Sequence, residues 1–473
     1  MTILKKELIP SASNNLNSYF PIRTSASGDP YDWEYATAIV IRNLYQRVVS
    51  KKVTKYLEKA GEKVNFTNTL KHLADSTKDS FYEVLDDEGL WPIIEDMYLK
   101  EDVFKTLAPE SSLFSIHPYT AGNSKNRLAD LFLSLMNGFY LQREGEASKG
   151  NVLKRLDRNF LEGKVVENLR SSNILDEFGN KDNERRLSKG INEKPYLPFL
   201  TEKFRQDLGV LGQYPAYLIE NLTGLLKLYG FLYTSQLALN INGWDSEPKS
   251  RPVYFIMENE TASKERVDLT GNGYRNVAKH FKYIFPYLCL NETFQEIDKE
   301  ANEHRLPLWE VTNQLEEFDV DTLKVYAEEF YKIRNIKSSV DWSINEDLPA
   351  KQQWFKKILK LSVMQFNKGE SKAAAQGKFI KGIEQELCSE FCRSRGQLGK
   401  ILVINQDYLT LLTNVCIGKN EKMRFHELLK EFEARGVYFD KYSQQALITF
   451  YERVGNVERM SDSGDAVYVR KTI

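Results

Sequence analysis

The first question about this 473-residue chain is whether it carries groups for catalysis. The stretch Gly369–Lys378, GESKAAAQGK, resembles a phosphate-binding loop, but seven residues separate its glycines where about four are needed. Phe379 also stands where Ser or Thr would hold magnesium. The five histidines are scattered, with no His-Glu-x-x-His spacing, and no Gly-x-Ser-x-Gly elbow occurs. The sequence therefore predicts no catalytic residue, no nucleotide and no other cofactor.

A metal-dependent nuclease is the enzymatic alternative. The tripeptide Glu247–Lys249, with Asp245 nearby, has the residue types of a nuclease Glu-x-Lys motif. It is broken by proline, however, whereas a metal nuclease needs carboxylates fixed on a strand. The same activity could be assembled from separated carboxylates such as Asp245, Glu258 and Glu260. We expect no enzymatic activity, and this assembly is kept as an alternative.

Two of the four cysteines are spaced for a shared helical face. Cys388 and Cys392 lie four residues apart in GIEQELCSEFCRSR, which places both on one side of a helix. Such a pair binds zinc only with further ligands, and no histidine follows at the spacing of a zinc finger. The sequence predicts two buried thiols and no metal.

Charge patterning predicts where phosphates would be contacted. The whole chain has 65 Lys plus Arg and 66 Asp plus Glu, so any contact with nucleic acid must be local. Residues 351–400 contain eleven cations and four anions, the one strong local surplus. Their alternative interpretation is a solvated helical face. The candidate phosphate contacts are Lys356, Lys357, Lys360, Lys372 and Lys378.

The C-terminal residues show the element order of a winged helix-turn-helix. A helix is predicted over 407–418, another over 423–436 ending at Gly436, and a third after Asp440 that buries Tyr442, Leu447 and Phe450 and ends at Gly455. Alternating residues then form a hairpin around the SDSGD turn, 461–465.

In a winged helix the last helix enters the major groove and the hairpin reaches the backbone. The candidate DNA contacts are Lys441, Gln444, Gln445 and Arg453 on the helix, and Arg459, Arg470 and Lys471 on the wing. Residues 419–473 carry ten cations and nine anions, fewer excess cations than tight DNA binding usually needs. Docking to another protein therefore remains an equal alternative.

Helical periodicity dominates the remaining sequence. One helix is predicted from Asp32 through Leu57, and an apolar helix over 217–241 is expected in a core rather than a membrane. A short strand is expected near 251–259. The predicted fold is mainly α, built of helical bundles in several domains. The predicted segments are an N-terminal helical domain, a central helical domain, a basic helical segment and the winged helix, at 1–190, 191–340, 341–400 and 401–473.

Several stretches resemble the DptG family, also called DndG. These are Asn14–Arg23 (NNLNSYFPIR), Pro195–Leu208 (PYLPFLTEKFRQDL), Leu228–Ile241 (LYGFLYTSQLALNI), Glu247–Arg266 (EPKSRPVYFIMENETASKER) and the C-terminal GDAVYVRKTI. The resemblance implies a subunit that works with DptF and DptH in restriction of DNA lacking phosphorothioate modification. It gives no catalytic motif to carry over.

From these observations we expect a non-catalytic scaffold of a DNA restriction complex, with double-stranded DNA contacted directly or through partners. No run of about 18 apolar residues and no secretory signal occurs, so we expect a cytoplasmic protein without membrane or small-molecule partners. The alternative from another class is a stand-alone winged-helix regulator. That alternative predicts a footprint that is lost on replacing Gln444, Gln445 and Arg453.

Overall fold

The structure, a computed structural model, confirms the mainly helical fold class, since 63% of the residues that it describes are helical and 8% lie in strands. It describes residues 3–4, 8–14, 18–22, 30–82, 88–116, 127–141, 159–171, 174–177, 193–241, 246–296, 305–313, 319–460 and 466–473. Within these ranges, no helix combines the length and the hydropathy needed to cross a bilayer. The chain divides into two compact units, a small unit of residues 31–188 and 205–226 and a large unit of residues 1–30, 189–204 and 227–472.

In the small unit, α1 (Trp33–Tyr45) packs against the 3₁₀ segment Pro109–Ser115 and against α6 (Arg127–Met136). Asp32 caps α1 as predicted, because its carboxylate accepts the Tyr35 N–H at 2.8 Å. The prediction of one helix through Leu57 is wrong, since Gln46 takes a left-handed φ of 52° and ends α1 there. The other elements are β2 (Arg47–Val49), α2 (Lys51–Lys59), α3 (Phe66–Tyr82), α4 (Trp91–Tyr98), α5 (Glu101–Leu107), α7 (Phe160–Ser171) and β3 (Leu175–Glu177).

The large unit contains most of the remaining helices. Helices α8 (Pro198–Leu211) and α9 (Pro215–Asn240) are divided between the units after residues 204 and 226. The others are α10 (Val267–Asn272), α11 (Tyr274–His280), α12 (Ile284–Phe294), α13 (Leu308–Asn313), α14 (Val320–Ile333), α15 (Ala350–Met364), α16 (Ala373–Gly382), α17 (Gln406–Ile417), α18 (Phe425–Ala434) and α19 (Lys441–Arg453).

Helix α9 is the apolar core helix that the sequence predicts. In the large unit its residues from Tyr229 to Ala238 are almost all buried, including Ser235 and Gln236. The Gln236 amide is satisfied by the backbone of Arg251, which it binds through two hydrogen bonds of 2.8 Å. A Cβ at Gly436, whose φ is 88°, would lie 2.3 Å from the Gln236 side chain, so glycine is required at this helix end.

Two three-stranded sheets in the large unit join distant parts of the chain. In the first, β4 (Ile256–Met257) lies within the strand predicted near 251–259; it pairs parallel with β7 (Lys400–Ile404), which pairs antiparallel with β6 (Cys392–Ser394). The second is antiparallel in the order β8 (Lys422–Arg424), β10 (Ala466–Arg470), β9 (Val457–Met460). A two-stranded ladder also joins β1 (Ile3–Leu4) to β5 (Gln295–Glu296).

Candidate nucleic-acid interface

The C-terminal elements follow the predicted order, with one addition. Helices α17, α18 and α19 are followed by the antiparallel strands β9 and β10, and strand β8 precedes α18. The sequence placed β8 inside a helix, which is wrong. Arg424 instead pairs with Tyr468 across the sheet, and α18 begins only at Phe425. Assignment of these residues to the winged-helix class stays a prediction, and the SDSGD turn at 461–465 lies outside the described residues.

The start of α19 is fixed by a buried ion pair. Asp440 caps the helix by accepting the Ser443 N–H at 2.9 Å. Both of its carboxylate oxygens also accept from the Arg266 guanidinium, at 2.7 and 2.6 Å. Burial alone would raise the pKa of Asp440, but the hydrogen bonds from Arg266 and Ser443 lower it below its usual range. This end of α19 is therefore held by residues 174 positions earlier.

A second carboxylate completes this network. Glu260 accepts from Arg266 Nη1 at 2.9 Å, from the Ser443 hydroxyl at 2.9 Å and from the Met257 N–H at 2.8 Å. Glu260 is thus occupied as a partner of Arg266, whereas Glu258 is exposed and Asp245 lies outside the described residues. In the part of the chain that the structure describes, no three His, Cys, Asp or Glu side chains form a group suited to a metal ion.

The predicted base-reading face of α19 is only partly available. Lys441, Gln445 and Arg453 are exposed, but Gln444 is half-buried and donates its amide to the Phe439 carbonyl at 2.9 Å. The expectation that Tyr442 is buried is wrong, since it is 71% exposed. The Arg266 guanidinium carbon lies 5.7 Å from the centroid of the Tyr442 ring, which is a cation–π contact.

The wing cations contact carboxylates and carbonyls of the same segment. Arg459 pairs with Glu452, and Arg470 pairs with Glu458. Lys422 binds Glu458 as well, at 3.0 Å, and Lys471 donates to the Gly418 carbonyl at 3.3 Å. Such exposed pairs add little stability, but they cancel the field that would attract a phosphate.

The basic helices α15 and α16 present a different surface. Lys356 and Lys360 are exposed one turn apart on α15, and Lys378 is exposed on α16. Lys357 is half-buried, donating to the Asp341 carbonyl at 2.6 Å, and Lys372 donates to the Ala12 carbonyl at 2.7 Å. Of the five phosphate contacts that the sequence predicts, three are therefore exposed and two are half-buried.

Three of the four carboxylates of residues 351–400 bind groups other than the lysines of α15 and α16. Glu370 accepts the Lys337 and Ser338 N–H groups at 3.1–3.2 Å, and these hydrogen bonds lower its pKa, the Lys337 bond most. Glu390 binds Lys227 at 2.6 Å, and Glu384 accepts from the Tyr274 hydroxyl. Glu384 also pairs with Lys400 of the same stretch at 3.5 Å, whereas Glu370 and Glu390 are bound by groups outside residues 351–400.

The predicted cysteine face is not formed. Helix α16 ends in a π-helical turn, Ile383–Leu387, and Cys388 is fully buried just after it. Cys392 is half-buried and begins strand β6. Because the helix stops between them, the two thiols do not share a helical side. Both are free, and burial raises the pKa of Cys388 well above its usual value.

Sequence reasoning missed the Arg266 network entirely. Arg266 stands in the polar stretch NETASKER, which has no periodicity, and its partners Asp440 and Ser443 lie near the other end of the chain. The one local signal was Asp440 as a helix cap, which says nothing of a second, charged partner.

Comparison with known proteins adds no identification. No protein family matches the chain, and no curated protein matches it. The resemblance to the DptG family therefore stays a prediction.

Proposed function

We propose that this chain is a non-catalytic, cytoplasmic subunit of a DNA restriction complex that contacts double-stranded DNA through the basic helices α15 and α16. In this proposal its partners are proteins like DptF and DptH, as the DptG resemblance implies. The observation that supports the DNA contact is the excess positive charge of residues 351–400. Lys356, Lys360 and Lys378 are exposed there, while the carboxylates Glu390 and Glu384 bind Lys227 and Tyr274.

The C-terminal segment has a different role in this proposal. The two wing arginines, Arg459 and Arg470, are paired within the segment and Gln444 donates to the backbone, so the wing offers few free groups to phosphates. The exposed Tyr442, Lys441 and Gln445 on a rigidly held helix suit a protein partner, because aromatic side chains are enriched at such contacts. We assign this segment to docking and α15–α16 to the DNA backbone.

The DNA contact is tested by removing three charges. Lys356, Lys360 and Lys378 are replaced together by Gln, and binding to a duplex of about 20 base pairs is followed by fluorescence anisotropy over a range of salt concentrations. Each phosphate contact adds roughly one to the slope of log K against log salt, so we expect the slope to fall by about two to three.

The matched control replaces three exposed lysines on α11 and α14, Lys279, Lys324 and Lys332, by Gln. This control has the same change of net charge and is expected to bind DNA like the unaltered chain. Equal losses in both triple variants, or no loss in either, would contradict a localised interface.

The non-catalytic role is tested with the purified chain alone and with its expected partners. We expect neither DNA cleavage nor ATP hydrolysis from the chain alone, and co-purification with the partners from cells that express all three. Metal-dependent cleavage by the isolated chain would overturn the proposal. A sequence-specific footprint lost on replacing Gln444, Gln445 and Arg453 would instead favour a stand-alone regulator.

A further inference from the structure

In the part of the large unit that the structure describes, two neighbouring cations have no carboxylate partner. The Arg334 side chain, at the C-terminal end of α14, is 7% exposed, and Lys372, just before α16, is half-buried. No carboxylate of the described residues lies within 4.0 Å of either one. Buried guanidinium groups are ordinarily paired, because removing a charge from water costs several kcal/mol.

Both cations instead contact carbonyl oxygens of an exposed N-terminal turn. Arg334 Nη2 donates to the Ser13 carbonyl at 2.9 Å, and Lys372 Nζ donates to the Ala12 carbonyl at 2.7 Å. Arg334 Nη1 reaches the same Ala12 oxygen only at 3.4 Å, which is longer than a normal N–H···O hydrogen bond. Neutral carbonyls therefore stand where anionic oxygens would be expected.

Hydrogen-bonding capacity remains unused at this point. Arg334 Nε is buried and has no hydrogen-bond partner, and Lys372 uses one of its three N–H donors. The Phe330 ring covers one side of the guanidinium, 5.0 Å from its central carbon. An unsatisfied buried donor is costly, and a bound anion would give it an acceptor.

The two groups also repel each other. Burial and then the charge of Arg334 lower the pKa of Lys372, and burial lowers the pKa of Arg334. An anion bound between them would reverse this repulsion and bring both groups a charged acceptor.

We propose that Arg334 and Lys372 form a binding site for a phosphate-type oxyanion beside the turn at residues 11–13. The unused Nε–H of Arg334 suits one phosphate oxygen, and the unused N–H donors of the Lys372 ammonium suit another. The site stands on these two residues alone. Only its assignment to a DNA backbone phosphate rests on the proposed function; a free phosphate compound has the same chemistry.

The direct test is calorimetric titration of the full chain with inorganic phosphate at constant ionic strength. Lys372→Gln removes one charge of the site, and Lys368→Gln removes one from an exposed lysine four residues earlier. We expect phosphate binding to weaken at least about tenfold in the first variant and to stay unchanged in the second, since a hydrogen bond to a charged group is worth roughly 1.5–3 kcal/mol.

A structural anchor for residues 12 and 13 would behave differently, because it needs no anion. Absence of phosphate binding by the unaltered chain, or equal binding by Lys372→Gln, would overturn the proposal. Thermal melts of the variants verify that each is folded.

A competition experiment then identifies the source of the phosphate. Displacement of inorganic phosphate by duplex DNA would assign the site to the nucleic-acid backbone. Binding without such competition would keep the site and assign it to a free phosphate compound. Loss of DNA binding with phosphate binding intact would reject only the proposed function.

Discussion

The basic helices and the C-terminal segment contain similar numbers of cations but use them in opposite ways. Residues 351–400 hold eleven cations and 419–473 hold ten. In the C-terminal segment, Arg459 pairs with Glu452 and Arg470 pairs with Glu458, so both carboxylates come from the same segment. In residues 351–400, Glu370 and Glu390 are bound by residues from outside this stretch. The placement of the anions, more than the number of cations, decides which surface keeps a positive field.

The two regions also differ in what holds them. The C-terminal segment is joined to residues 255–266 by the buried Arg266–Asp440 pair and by the bond between Ser443 and Glu260. Helix α15 packs instead through apolar side chains, including Trp354, Phe355 and Ile358. The C-terminal segment is held by a specific ionic network, whereas α15 is held by an apolar face. The opposite face of α15 can therefore carry lysines.

The largest expected effect comes from breaking the ionic network. Arg266→Met leaves Asp440 and Glu260 buried without their partner, and we expect the free energy of unfolding to fall by about 3–5 kcal/mol. Chemical denaturation measures this change. The control Arg459→Met removes an exposed arginine from its pair with Glu452 and should cost less than about 1 kcal/mol. A similar loss of unfolding free energy in the two variants would show that the buried network stabilises the chain no more than an exposed ion pair does.

A second experiment compares the two regions directly for DNA binding. Replacing Arg459, Arg470 and Lys471 by Gln removes as many charges as the triple change in α15 and α16. Because the two arginines already pair with carboxylates and Lys471 with a carbonyl, we expect the salt slope of DNA binding to change by less than about one. A larger loss from the wing than from the basic helices would reverse our assignment of the two surfaces.

A smaller effect is expected from pH. The pKa of Asp440 is lowered in the folded chain, so its stabilising contribution is present above the unfolded value of about 3.9 and is lost as pH falls through the folded value. The stability difference between the unaltered chain and Asp440→Asn should therefore be constant near neutral pH and shrink below about pH 4. Urea denaturation at several pH values measures it, and a difference independent of pH in that range would argue against a charged Asp440.

Much of the local structure was predictable from the sequence. Helix α19 begins after its Asp440 cap and ends before Gly455, whose φ is 75°, because caps and glycine ends are local signals. The break at Gln46 was not predictable, since the apolar periodicity continues through it. Strand β8 was not predicted because three residues are too few to show the alternation of a strand. Its partner, β10, also lies more than forty positions later in the sequence.

Of the candidate site, only the surplus of positive charge was predictable from the sequence. The surplus in 351–400 follows from composition, but the split between exposed Lys356 and half-buried Lys357 depends on how α15 packs. The pairing of Arg334 with carbonyls instead of carboxylates depends on tertiary contacts across more than three hundred residues. Such partners leave no trace in local patterning.

The Arg266–Asp440 pair also sets an order of events during synthesis. Arg266 leaves the ribosome 174 residues before Asp440, and Ile256 of strand β4 appears 147 residues before its partner Val403 in β7. Until α19 emerges, this guanidinium has only Glu260 as its charged partner and must stay hydrated. The large unit is therefore completed only after Asp440 has been synthesised, and a nascent chain stalled short of Asp440 would present this unfinished surface to chaperones.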